Sequence, residues 1–157
     1  MAYTYSKTDW ANGDHVSPVR DGERVRENIL AVYDLSLGKF PYYTLPPIVS
    51  IDELVQQYPE YSKWTGGGIT DRHRYASYYP IAQYNQFETA IQTIADKAYR
   101  PPNFYAGQQY TGNTIVPTAI DQNNIEKAIE TLHETLQSFG SALVGMPTKL
   151  STEWREF

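Results

Sequence analysis

Two series of apolar residues repeat at alternating steps of three and four, and they limit this chain more than any other feature. Tyr84, Phe87, Ile91, Ile94 and Ala98 form the first, and Ile125, Ile129, Leu132, Leu136, Phe139 and Leu143 form the second. Such spacing places each set along one stripe of an α-helix. Two helices from about 81 to 98 and from about 119 to 143 are therefore expected, each with a seam that must be covered. Packing of the two seams inside one subunit accounts for them. A further option is that the later helix also meets its copies across a symmetry axis, although about three heptads make only a marginal free-standing coiled coil.

A third helix is signalled by Ser17-Pro18, a good N-cap followed by a residue favoured in the first turn, with Asp21 and Glu23 near the positive helix end. Val25, Ile29, Val32 and Tyr33 then share a face, and Gly38 marks the end. Ser50-Ile51-Asp52-Glu53 has capping-box spacing and opens a short helix limited by Pro59. Thr70-Asp71 is a further cap, so helical structure is expected over about 18–37, 50–58, 70–99 and 118–143. Between these lie irregular arms over 39–49, 100–117 and 144–157, rich in Pro, Tyr, Asn and Gly. The fold class is mainly α, a single subunit over 1–157 built as a small helical bundle with long extended arms, with a few short strands an open option.

Composition decides what the arms are made of. The chain has 3 Trp, 14 Tyr and 5 Phe, a large share of its 41% hydrophobic residues, and each buried Tyr hydroxyl needs a partner. Tyr84 and Phe87 belong to a helical seam, whereas Phe40, Tyr42, Tyr43, Phe104, Tyr105, Trp154 and Phe157 sit on the arms. Tyr is enriched at subunit contacts because it gives large area at low entropy cost. The same aromatics, interleaved with Asn, Gln and Ser, also suit stacking on sugar rings.

Charge and residue usage narrow the chemistry. With a formal charge of −5 and pI near 5.1, the electrostatic basis for strong nucleic-acid binding is missing. No eighteen-residue apolar run or signal-peptide block is present, so synthesis in cytoplasm and no membrane are expected. Cys is absent, and His15, His73 and His133 form no short ligand pair, so neither a metal nor a cofactor is expected. Gly66-Gly67-Gly68 lacks the Lys-Ser/Thr of a phosphate loop. Asp71-Arg72-His73-Arg74 is the densest polar cluster, but adjacent helical positions point apart, which favours a solvated or interface face over catalysis. His133, close to Glu130 and Glu134, reads as a surface His.

One pattern occurs twice. Gly13-Asp14-His15-Val16-Ser17-Pro18 aligns with Gly112-Asn113-Thr114-Ile115-Val116-Pro117, and after one residue of adjustment 24–29 overlays 124–129. The shared physics is a tight turn, an extended step and a capped amphipathic helix. Trp10-Ala11-Asn12-Gly13-Asp14, together with Asn123-Asn124-Ile125-Glu126-Lys127-Ala128-Ile129, resembles a short segment common near the start of bacteriophage tail, fibre and baseplate proteins. In those proteins a Trp-x-x-Gly-Asp turn leads into a helix carrying Asn-x-Ile-Glu-x-x-Ile. The first copy here has Arg24-Val25-Arg26-Glu27 where the helix motif is expected.

That resemblance implies an assembly module, often at a trimer or ring contact, and hence a non-enzymatic structural component of a virion at the tail, collar, baseplate or fibre-attachment point. The expected partners are other virion proteins and further copies of the chain. Trp10, Tyr42, Tyr43, Phe104, Tyr105, Ile125, Ile129, Leu132, Leu136, Trp154 and Phe157 are the expected interface residues. The alternatives are a carbohydrate-binding host-recognition adaptor using Trp64 and Tyr78, and a small hydrolase centred on Asp71 and His73.

Overall fold

The computed structural model describes residues 2–11, 13–16, 20–57, 67–68, 74–111, 114–116 and 118–145. Their order is β1 (His15–Val16), α1 (Arg20–Ser36), α2 (Ile51–Gln57), β2 (Gly67–Gly68), β3 (Arg74–Pro80), α3 (Ile81–Lys97), β4 (Thr114–Val116) and α4 (Ala119–Gly145). The protein is mainly helical, and among the described residues the strands form two antiparallel pairs. Pairing of β1 with β2 sets His15 opposite Gly68, and pairing of β3 with β4 sets Tyr79 opposite Ile115 and Pro80 opposite Thr114.

Helices α1, α3 and α4 pack on one another in all three combinations. Val25, Ile29 and Val32 from α1 meet Tyr84, Phe87, Ile91 and Ile94 from α3 and Ile125, Ile129, Leu132 and Leu136 from α4, all buried in one cluster. Both 3,4-spaced series thus close on each other and on the apolar face of α1 within a single chain. The short helix α2 starts where the capping box places it: Ser50 N–H donates to Glu53 Oε1 at 3.3 Å, and Glu53 N–H donates to Ser50 Oγ at 3.2 Å. Leu54 anchors it by burial.

One stretch departs from expectation. Residues 74–80, read as part of a helix over 70–99, form strand β3. Tyr75, Tyr78 and Tyr79 favour extended structure, Pro80 disfavours helical backbone at the residue before it, and β4 supplies hydrogen-bond partners. The helix begins only at Ile81. The Thr70-Asp71 cap and the Asp71–His73 cluster lie outside the described residues, as do Tyr58, Trp64, Trp154 and Phe157.

The repeated pattern appears as two strand-then-helix units, β1 to α1 and β4 to α4. Matching positions have matching environments: Val25 and Ile125 are buried, as are Ile29 and Ile129, and each helix buries an acid in its first turn, Asp21 or Asp121. At the second unit Thr118 and Asp121 form a capping box, with backbone to side-chain bonds of 3.0 Å in both directions.

Candidate assembly site

The segment from Ala2 to Ala11 has no helix or strand of its own, so its backbone groups need partners elsewhere. It lies as a strap against α1 and α4. Asn28 of α1 accepts from Thr4 N–H at 3.0 Å and donates from Nδ2 to the Tyr5 carbonyl at 2.8 Å. Asn123 of α4 treats Trp10 in the same way, accepting from its N–H at 2.8 Å and donating to its carbonyl at 3.0 Å. A side-chain amide presents one donor and one acceptor, which lets it imitate the edge of a neighbouring strand.

Glu126 is the centre of this contact. It is 1% exposed. Its Oε1 accepts from Lys7 N–H at 2.9 Å, and its Oε2 accepts from the Trp10 indole N–H at 2.7 Å and from Gln122 at 3.2 Å. Arg24 of α1 completes the set, pairing through one nitrogen with Glu126 and through the other with Asp21 at 2.7 Å. Burial opposes the Arg24 charge, yet hydrogen bonds and charge attraction from Glu126 and Asp21 outweigh it and hold its pKa above the ordinary value. Its guanidinium also lies 4.9 Å from the Tyr5 ring centre. Further along α4, Tyr3 stacks on His133 with centroids 3.9 Å apart, and burial lowers the His133 pKa.

After Trp10 the chain turns sharply. Asp14 N–H donates to the Ala11 carbonyl at 3.0 Å, and Ala11 N–H donates to Asp14 Oδ2 at 2.9 Å. Gly13 between them has φ of +92°, a conformation that costs side-chain-bearing residues. The Trp-x-x-Gly-Asp segment and the Asn-x-Ile-Glu segment, far apart in sequence, are therefore bound to each other.

A second polar stripe lies on α3. Asn85, Glu88 and Gln92, at steps of three and four, hold the 100–111 segment. Asn85 exchanges two bonds with the Tyr110 backbone, at 2.8 and 3.0 Å, and Gln92 Nε2 donates to the Tyr105 carbonyl at 2.9 Å. Wholly buried Glu88 accepts from the Tyr105 hydroxyl at 2.7 Å and from Gln108 N–H at 3.3 Å. Desolvation pushes its carboxyl up to about 7 despite these bonds, with the charge of Asp121 adding to the rise. An open cleft of about 450 Å³ runs past this stripe, lined by Glu88, Thr89, Gln92, Thr93, Asp96 and residues 106–109.

The expected interface residues divide sharply. Trp10, Ile125, Ile129, Leu132 and Leu136 are buried within their own chain. The seam of Ile125, Ile129, Leu132 and Leu136 is closed by α1 and α3 of the same chain. Tyr43, Phe104 and Tyr105 also pack against the core from the arms. Tyr33 donates its hydroxyl to the Tyr43 carbonyl at 2.8 Å, and Arg26 Nε donates to the Ile48 carbonyl at 2.9 Å, so the 39–49 arm folds back on α1. Tyr42 is different, with 96% of its surface exposed. Sequence reasoning missed Asn28, Asn85, Glu88 and Gln92. Their signal was polar residues at helical spacing beside the apolar stripes.

Among the described residues no group of three potential metal ligands occurs, and no helix is long and apolar enough to cross a membrane. Comparison with family models, curated proteins and solved structures found no match to this chain.

Proposed function

We propose that this chain is a structural component of a bacteriophage virion, at the tail, collar, baseplate or fibre-attachment point, and that it acts through assembly with other virion proteins and with its own copies. The observation that carries the reading is the clasp of Trp10 by Asn123 and Glu126. These residues are the ones on which the resemblance to phage attachment segments rests. A clasp that bonds both the backbone and the indole of Trp10 gives the strap and the seam a defined shape, the property an assembly module requires. Tyr42 and half-exposed Tyr5 supply aromatic surface on the outside of that frame.

The test is the mass of the full chain in solution, together with co-purification against virion proteins encoded beside it. A trimer or larger ring, or capture by one of those proteins, supports the reading. A strictly monomeric chain that joins none of them and is missing from purified particles overturns it. A second reading, a host-glycan adaptor, draws on the cleft beside α3, whose amide, hydroxyl and carboxylate lining suits sugar hydroxyls. Absence of binding on a glycan array removes it.

A further inference from the structure

The internal repeat extends to the way the helices hold the irregular segments. Asn85 and Glu88 on α3 have the spacing of Asn123 and Glu126 on α4. Each Asn bonds both the N–H and the carbonyl of one aromatic residue, Tyr110 or Trp10. Each Glu accepts a backbone N–H from two or three positions earlier in the same segment, Gln108 or Lys7. Each aromatic precedes a Gly-Asx pair in the sequence, Gly112-Asn113 or Gly13-Asp14. The two clasps are built alike, but their charges are handled differently.

Glu126 has the Arg24 guanidinium against its Oε2. Glu88, at 0% exposure, pairs with no cation among the described residues. Arg100, the cation of the 100–111 segment, is engaged by Asp96 at 2.7 Å and by Gln92 at 2.8 Å. The titratable groups facing Glu88 are the Tyr105 and Tyr110 hydroxyls, at 2.7 and 3.4 Å, and Asp121 of α4, which holds Gln108 Nε2 at 2.7 Å. Burial pushes both hydroxyls up, so they stay protonated, and Asp121 adds negative charge. An ionised Glu88 therefore has hydrogen-bond donors but no opposite charge, and every one of those donors belongs to the 100–111 segment. Lifting that segment is the direct way to bring water to the carboxylate.

We propose that the 100–111 segment is a pH-operated latch on α3, closed while the Glu88 carboxyl keeps its proton and opening as that proton leaves, so that Asn85, Glu88 and Gln92 are uncovered along the cleft wall. Gly107, with φ of +85°, gives the segment a bend inside the latched stretch. The carboxyl stands at about 7 when the latch is closed and near 4.5 once it is free in water. Opening therefore grows as pH rises above about 4.5 and levels off above about 7. The clasp on α4, with Arg24 in place, lacks this response and serves as the internal control. The latch stands apart from the virion reading.

Amide hydrogen exchange of the full chain tests it, with each rate corrected for the base-catalysed rate of a free peptide. The Gln108 and Tyr110 amides, which bond Glu88 and Asn85, report on the latch, and those of Lys7 and Trp10 report on the control clasp. Opening at Gln108 and Tyr110 is expected to rise about tenfold or more between pH 5 and pH 7.5, while Lys7 and Trp10 stay level. In Glu88→Gln the rise is expected to vanish. Carbon NMR titration of the Glu88 carboxyl in the unaltered chain, with a midpoint expected near 7, keeps the proposal open to refutation even where that variant does not fold. A midpoint near 4.5, flat opening at Gln108 and Tyr110, a rise shared equally by both clasps, or a rise that persists in Glu88→Gln each overturns it.

Discussion

The Trp10 indole N–H donates to the Glu126 carboxylate at 2.7 Å, joining residues 116 positions apart. The bond ties an irregular segment to the start of the second helical seam. It also means that the Glu126 charge is stabilised from four sides, by Lys7, Trp10, Gln122 and Arg24. The Lys7 donor is a backbone N–H and survives substitution, whereas replacing Trp10, Gln122 or Arg24 leaves a buried carboxylate short of a donor.

Trp10→Phe keeps most of the ring area and removes that donor, so the expected loss is roughly 1–3 kcal/mol. Trp10→Ala removes the ring as well and is expected to cost roughly 3–5 kcal/mol. Urea unfolding of the two variants separates the terms. An unchanged midpoint in Trp10→Phe would show that the indole N–H contributes nothing, and equal losses would show that the ring adds nothing beyond it.

Arg24 and Glu126 form a buried pair with only 9% and 1% of their side chains exposed. Arg24→Met takes the shared cation away from buried Glu126 and Asp21, and a loss of roughly 3–5 kcal/mol is expected. Combining it with Glu126→Gln is expected to cost less than the sum of the single changes. A double-mutant cycle measures the difference, and strict additivity would contradict the pairing.

Burial raises the Glu88 carboxyl to about 7. The folded chain therefore keeps this proton where the unfolded chain, with a carboxyl near 4.5, has released it. The contribution is complete below about pH 4.5 and is lost as pH rises through about 7, a change on the order of 3 kcal/mol. Glu88→Gln removes the titration. Relative to the unaltered chain, the variant is expected to gain stability between pH 5 and pH 8, read from unfolding midpoints at the two values. Parallel pH profiles would overturn this.

Gln83 is fully buried, and neither its oxygen nor its nitrogen has a hydrogen-bond partner. It lies against Gly22, where an added Cβ would sit 2.7 Å from its amide nitrogen. Gln83→Met keeps the volume and discards two unsatisfied polar atoms, with an expected gain of about 1 kcal/mol. Gly22→Ala is expected to destabilise in the Gln83 background and to be tolerated beside Gln83→Ala. Thermal unfolding of the four chains decides it.

Tyr42→Ser should leave chain stability within about 0.5 kcal/mol, because the ring touches little. Under the assembly reading it weakens self-association or capture by a virion partner, which sedimentation reads at fixed concentration. An unchanged association would remove Tyr42 from the interface.

Much of the frame was legible from local order. The 3,4 spacing of Ile125, Ile129, Leu132 and Leu136 specifies a helix and its buried face, because only one periodicity brings those residues to one side. Ser50 and Glu53 specify a helix start, since both bonds close within one turn. The Trp10 and Asn123–Glu126 segments were visible as a motif, although nothing local said that they touch. Residues 74–80 were misread because a strand's hydrogen bonds come from a partner, here β4 34 to 42 positions away, that no window around Tyr75 to Tyr79 contains.

The direction of the aromatics belonged to the tertiary structure alone. Tyr42 and Tyr43 are neighbours of the same type on the same Pro-rich arm, yet Tyr43 bonds Ser36 and packs inward while Tyr42 faces out. An extended chain alternates sides at every residue, and only the position of α1 beneath it fixes which side is in. By itself the sequence determined most of the helical segments, their apolar faces, the Ser50–Glu53 cap and the stock of aromatic material. Tertiary packing decided which polar residues became clasps, because a side-chain amide or carboxylate can serve a strap only where folding brings a backbone within about 3 Å.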